Sequence, residues 1–185
     1  MTLLQLAKNL ITNRLLPFKK ITWCFDFEPI SYGEEMKMAK YADFSFFSSP
    51  ELASIARAEG VKSPHFMPMA ADIHQYHPVK DYPKSENRIG FIGSPKSPRL
   101  DVLLDIAKRL AITIDVTGED WPEMRPKGLQ VFKPSYGNNF NIFCCSHDII
   151  INLTQYTDFP TPPHTQSQRY FMVAATNTFM ISEKI

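Results

Sequence analysis

The chain has 185 residues, 44% of them hydrophobic and 21% charged, with a net charge of +1. That length can bury a sizeable core as one large domain or two small ones, and the near-neutral charge excludes the strong basic excess of a nucleic-acid binder. Three cysteines, two of them the neighbours Cys144 and Cys145, exclude a disulfide framework and point to a reducing cytoplasm.

Residues 1–20 carry Leu3, Leu6, Leu10, Leu15 and Leu16 at helical spacing, with Lys8, Arg14, Lys19 and Lys20 as their only charges. Lys8, Asn9, Asn13 and Arg14 interrupt the apolar run, which argues against a secretory signal and excludes a membrane-spanning helix. A basic amphipathic helix can lie on an anionic membrane surface. The plainer expectation, a helix packed on the following sheet with its basic face in water, is preferred.

Ile21 to Phe25 is β-branched and aromatic and predicts a strand running into the polar loop Asp26-Phe27-Glu28-Pro29. Gly33–Tyr41 then predicts a helix and Phe44–Phe47 a strand. Pro50–Glu59 predicts a second helix, closed by Gly60, and His65–Met67 a short strand. Such alternation means α/β with parallel strands. Asp72–Asn87 is polar, holds Pro78 and Pro83, and has no apolar period. The expected organisation is a first unit over 1–77, a linker over 78–87 and a second unit over 88–185.

The second unit opens with a short apolar run, Ile89–Ile92, ending at Gly93. A Pro-containing turn, a helical pattern over Arg99–Leu110 and the alternating Ile112, Ile114 and Val116 complete a βαβ unit. Beyond it, Leu129–Phe132, His147–Leu153 and Thr178–Ser182 read as strands. Asn138–Cys145 and Ser167–Ala175 read as helices, with a proline-rich loop over Thr154–Gln166.

In parallel sheets ligands sit beyond the carboxyl ends of the strands, which is where Gly93 and Gly118 fall. Lys96 and Arg99 stand near the start of the helix that follows, where backbone N–H groups and the dipole favour an anion. Two cations one helical turn apart, beside a Gly-Ser-Pro turn, suit a diphosphate, although the same spacing also fits a solvent-facing pair. Arg169 opens a later helix, where a cation opposes the dipole and an anionic ligand would justify it. Asp26 and Glu28 close a strand at the same edge, as a general base or sugar-hydroxyl acceptor, or equally as loop solvation and helix N-terminal charge. His74 and His77 with Asp72 imitate a metal site, but they adjoin Pro78 and no further ligand cluster exists, so no metal is expected. Cys144 and Cys145 end an apolar helical pattern and read as small hydrophobes. Neither a Walker motif nor Gly-x-Gly-x-x-Gly occurs.

Taken in order, FIG-S-x(4)-R (Phe91 to Arg99), TGEDW (Thr117 to Trp121), the DIIINL strand and RYFMVAATNTFMISE (Arg169 to Glu183) resemble the donor half of CgeB-type, spore-maturation-like GT-B glycosyltransferases. Upstream, WCFDFEP, KYADFSFFSSPE and FMPMAADIHQYHP are similar to that family's aspartate strand, second strand and interdomain passage. The resemblance covers most of the chain from Ile21 onward. It implies two Rossmann-like parallel-sheet units, both incomplete, holding a nucleotide-diphosphate sugar of UDP or GDP type. It also implies glycosyl transfer to a polysaccharide, lipid or protein without an essential metal or a covalently bound cofactor. By position, Gly93 would let the backbone approach the donor, with Ser94 and Lys96 beside it, and Arg99 would stabilise the departing diphosphate. Gly118 and Trp121 would shape the nucleotide pocket, Arg169 would lie beside the phosphates or sugar, and Asp26 would act catalytically. Two positions depart from the family pattern. Met172 stands where a glutamate would accept the ribose hydroxyls, and Asn177 stands where a glycine is usual. The rival expectation is a catalytically inactive α/β binding module of the same fold.

Overall fold

The computed structural model describes residues 19–24, 32–96, 98–121, 126–153 and 167–182. The expectations for residues 1–18, for Asp26 and Glu28, and for the 154–166 loop therefore lie outside the described residues. The chain forms two compact units, Met1–Met69 with Phe159–Gln166 and Ala70–Asp158 with Ser167–Ile185.

The first unit holds β1 (Ile21–Cys24), α1 (Tyr32–Tyr41), β2 (Phe44–Phe47), α2 (Pro50–Ala58) and β3 (Pro64–Phe66). Its three strands are parallel in the order β1-β2-β3, with Ile21 opposite Phe44 and Ser45 opposite Pro64. The start of α2 is written in the sequence. Ser49 Oγ accepts the Leu52 N–H at 3.1 Å, and Pro50 takes the first turn, where a missing N–H is harmless. Cys24 and Phe47 on the sheet pack against Met36, Ala39, Leu52, Ala53, Ala56 and Val61.

The second unit holds β4 (Ile89–Ile92), α3 (Arg99–Leu110), β5 (Ile114–Thr117), β6 (Leu129–Val131), α4 (Asn138–Ser146), β7 (Ile149–Asn152), α5 (Gln168–Ala175) and β8 (Phe179–Ser182). All five strands are parallel in the order β6-β5-β4-β7-β8. The chain thus builds outward from β4 in one direction and from β7 in the other, which makes the β4/β7 junction a topological switch point. One face packs Phe91, Ile114, Val116, Leu129 and Ile151 under Leu103 and Ala107 of α3. The opposite face packs Ile92 and Ile150 under Phe140, Phe143, Cys144 and Val173. Gly90 brings α4 close to the sheet. A Cβ there would stand 2.9 Å from both Ile150 Cδ1 and Phe143 Cε1, so any side chain would lift the helix end.

Alternation in Ile112–Val116 marks only one face of β5; the structure buries the other face as well. Asp115 and Thr117 are 1% and 0% exposed. Thr117 Oγ1 donates to Lys133 O at 2.6 Å. Asp115 accepts hydrogen bonds from Ser85 Oγ and Asn87 Nδ2, and its Oδ2 lies 2.9 Å from Nε2 of the buried His147. His147 Nδ1 faces Phe143 O at 2.6 Å, which orients the ring.

Contacts of this cluster extend into residues 78–87. The residues read as a linker are fastened to the second unit by polar contacts that have no hydrophobic period. Val79 N–H donates to Cys145 Sγ, and Lys84 Nζ donates to the carbonyls of Cys145 and His147. Ser85 and Asn87 reach Asp115. Farther upstream, Tyr76 stacks edge-on against Phe140 and Gln75 O accepts from Asn141 Nδ2. Asp72, two residues before His74 in the metal-like pattern, accepts the His74 N–H at 2.8 Å and shapes a turn.

Candidate anion site at the switch point of the second sheet

The carboxyl ends of β4 and β7 deliver Gly93 and Asn152–Leu153 to the switch point, and the helices that follow those strands deliver Arg99 and Arg169. Gly93 has φ +151, and a Cβ on it would stand 3.0 Å from Arg169 Nη2 and 3.1 Å from the Phe91 ring. Glycine therefore makes room for the guanidinium in a backbone conformation that L side chains rarely adopt. The next turn is packed on this one. Gly118 has φ +142, and a Cβ on it would stand 2.6 Å from the Gly93 carbonyl carbon. Trp121 Nε1–H donates to Gly93 O at 2.9 Å while its indole meets Phe91 edge-on at 6.2 Å.

Arg169 Nη1 donates to Asn152 Oδ1 at 3.0 Å, and its guanidinium carbon lies 5.8 Å from the Phe91 ring centroid. Arg99 is 7% exposed; its Nε donates to Leu153 O at 3.1 Å, and Ser94 Oγ lies 3.5 Å from its Nη1. Consecutive residues at the tip of β7 thus offer neutral oxygens to both cations. Among the described residues no carboxylate pairs with Arg169. Burial, and then the neighbouring Arg99 charge, push Arg169 down to about 10. Two like charges gathered at a sheet's ligand-facing edge give that edge a positive potential, the charge that an anionic ligand would need.

The structure brings together Gly93, Ser94, Arg99, Gly118, Trp121 and Arg169. Lys96 is exposed, and its carbonyl accepts the Arg99 N–H at 3.0 Å. Met172 packs with Met180 and Tyr76 against the apolar cluster of Ile92, Phe140 and Val173. Asn177 adopts φ 57, the left-handed conformation that lets it stand in for glycine after the helix. Asn152, Leu153 and the Asp115–His147 pair went unread in the sequence. The only trace of Asn152 was a polar residue closing an otherwise apolar strand.

A cavity of about 540 Å³ lies elsewhere in the unit, lined by Tyr82, Lys84, Asp115, Phe132, Phe143 and His147 among others, and by none of the residues at the switch point. Its buried polar groups, Asp115 and His147, already bond to each other and to Ser85, Asn87 and Phe143 O.

The fold class is α/β, two Rossmann-like parallel-sheet units of the GT-B-like kind. A solved structure of a sucrose-phosphate synthase from Thermosynechococcus elongatus is similar to it, with a TM-score of 0.69 at 11% identity over 96% of this chain. The chain spans about half of that protein, 53% of its length. No protein-family model and no curated protein matches the sequence. Among the described residues no helix is long and apolar enough to cross a membrane.

Proposed function

We propose that the second unit binds a nucleotide-diphosphate sugar and that the protein transfers its glycosyl group to a hydroxyl of a polysaccharide, lipid or protein acceptor, as a CgeB-like glycosyltransferase. The observation that carries this reading is Arg169, held at the switch point by a neutral amide oxygen and next to a second guanidinium. The diphosphate lies against the Gly93–Ser94 turn. Arg169 grips its oxygens and the buried Arg99 adds its field from behind. In the transfer the bond from the anomeric carbon to the distal phosphate oxygen breaks, and its electron pair goes to the diphosphate. The acceptor oxygen forms the new bond and gives up its proton to a base, a role that the strand-end position of Asp26 in the sequence suits. Gly118 and Trp121 form the wall behind the nucleotide. The three free cysteines fit a cytoplasmic location for such a reaction.

The second reading, an inactive binding module, is favoured by Met172. Its apolar packing leaves no carboxylate at that position for ribose hydroxyls, a charged hydrogen bond worth roughly 1.5–3 kcal/mol. Calorimetric titration with UDP and with GDP tests both readings, using the wild type, Arg99→Ala and Arg169→Ala. Nucleotide binding that both substitutions abolish supports the donor site. Binding accompanied by no turnover of UDP- or GDP-sugars selects the inactive module, and no binding by the wild type refutes the donor site altogether.

A further inference from the structure

Asn152 is 0% exposed, and both the oxygen and the nitrogen of its amide are hydrogen-bonded. Oδ1 accepts from Arg169 Nη1 at 3.0 Å, and Nδ2 donates to Ser182 Oγ at 3.2 Å. The orientation of the amide is fixed by chemistry, because a guanidinium only donates and so must face the oxygen. Ser182 is anchored in turn. Its Oγ lies 3.3 Å from Asn152 O and also bonds to Tyr170 OH, one residue after Arg169. The chain of contacts runs from Arg169 through Asn152 to Ser182 and back to α5, so the guanidinium is braced from two strands and its own helix.

Arg169 is half-buried, and a guanidinium drawn this far from water is ordinarily matched by a carboxylate, since an uncompensated charge there is costly. Here the residue placed to receive it differs from aspartate only by an amide nitrogen in place of an oxygen. The arginine also shares its surroundings with a second cation. We infer that Asn152 is a positioning residue that fixes Arg169 while leaving its charge uncancelled, so that the charge is reserved for the diphosphate of the donor. The assignment rests on the donor reading above and deepens it. A carboxylate in the same place would steady the fold and spoil the site.

Asn152→Asp separates these effects, because it changes the charge and almost nothing of the shape. Inorganic pyrophosphate and UDP are titrated into the wild type and Asn152→Asp, and thermal melts are recorded for both and for Arg169→Met with and without Asn152→Asp. The expected result is at least a tenfold loss of pyrophosphate and UDP affinity in Asn152→Asp. Its melting temperature should be equal to or above that of the wild type, and any gain should vanish when Arg169 is Met. A residue that merely holds structure would lose stability and affinity together, and that outcome overturns the inference. Equal affinity in Asn152→Asp and wild type overturns it too while leaving the donor site intact. No binding of either ligand by the wild type removes the donor site and this role with it.

Discussion

Gly118 is packed against Gly93 so closely that a Cβ on Gly118 would stand 2.6 Å from the Gly93 carbonyl carbon. The turns after β4 and β5 therefore behave as one piece, sealed by the Trp121 indole on Gly93 O. Gly118→Ala must push backbone against backbone and also strain a φ of +142, which no side-chain rearrangement can relieve. Its expected cost is at the upper end of the roughly 1–3 kcal/mol typical of overpacking. Urea denaturation checks the stability, and Trp121 fluorescence checks whether the indole has left Phe91. Gly93→Ala strains a φ of +151 as well, but it meets side-chain atoms of Arg169 and the buried Phe91 ring rather than backbone, so it should cost less than Gly118→Ala and displace the Arg169 guanidinium.

His147 and Asp115 form a buried pair that ties α4, β5 and the segment before β4 together. Removing one partner leaves the other buried without its match, so Asp115→Asn or His147→Leu alone should destabilise by about 3–5 kcal/mol. Asp115→Leu with His147→Leu should lose less than the sum of the two single changes. Ser85 and Asn87, both half-buried, can turn to water when the carboxylate is gone. A double-mutant cycle in urea gives the coupling energy, and additive losses would mean that the pair contributes nothing as a pair.

Arg169 carries a pH signature whose sign is fixed by its burial. A cation whose folded pKa is lowered burdens the fold while it is charged, and the burden lifts as pH rises through about 10. Over that range the unfolded chain holds the proton that the native state has shed, so stability gains with pH. The melting temperature of the wild type relative to Arg169→Met should therefore shift in favour of the wild type as pH passes about 10. A gap that does not change with pH would mean that the guanidinium is not desolvated.

The thiols should divide by burial. Desolvation pushes Cys24 up to about 11 and Cys144 up to about 12, so neither is appreciably ionised near neutrality. Cys145 is half-buried. Native protein treated with iodoacetamide should be alkylated at Cys145 and spared at Cys24 and Cys144, as read by peptide mass spectrometry. Equal labelling of Cys144 would show that α4 opens readily.

What the sequence disclosed, and what it hid, follows from the kind of force at each place. Hydrophobic periodicity and punctuation set the strand–helix alternation. Arg99–Leu110 is found as expected, and the ends of other elements move by a residue or two, as with Ile149–Asn152 inside His147–Leu153. The glycine turns at Gly93 and Gly118 were readable because each ends an apolar run. Polar contacts across long sequence separations were not readable. Asp115 and His147 are 32 residues apart, Asn152 and Arg169 are 17 apart, and neither pair has a period or a motif. The contacts of the segment before β4 are silent in the sequence for the same reason. Its adhesion is carried by hydrogen bonds, the Lys84–Asp148 ion pair and one aromatic contact, which leave no stripe in the sequence to mark them.

That adhesion decides where the protein can be divided. A fragment begun at Arg88 would discard Ser85 and Asn87, strip donors from Asp115, uncover the edge of Phe140 that Tyr76 shields, and lose the lysine that caps the end of α4. Begun at Ala70, the excised piece would take its fasteners with it. The scissors belong after Met69, nineteen residues before the first strand of the sheet they are meant to spare.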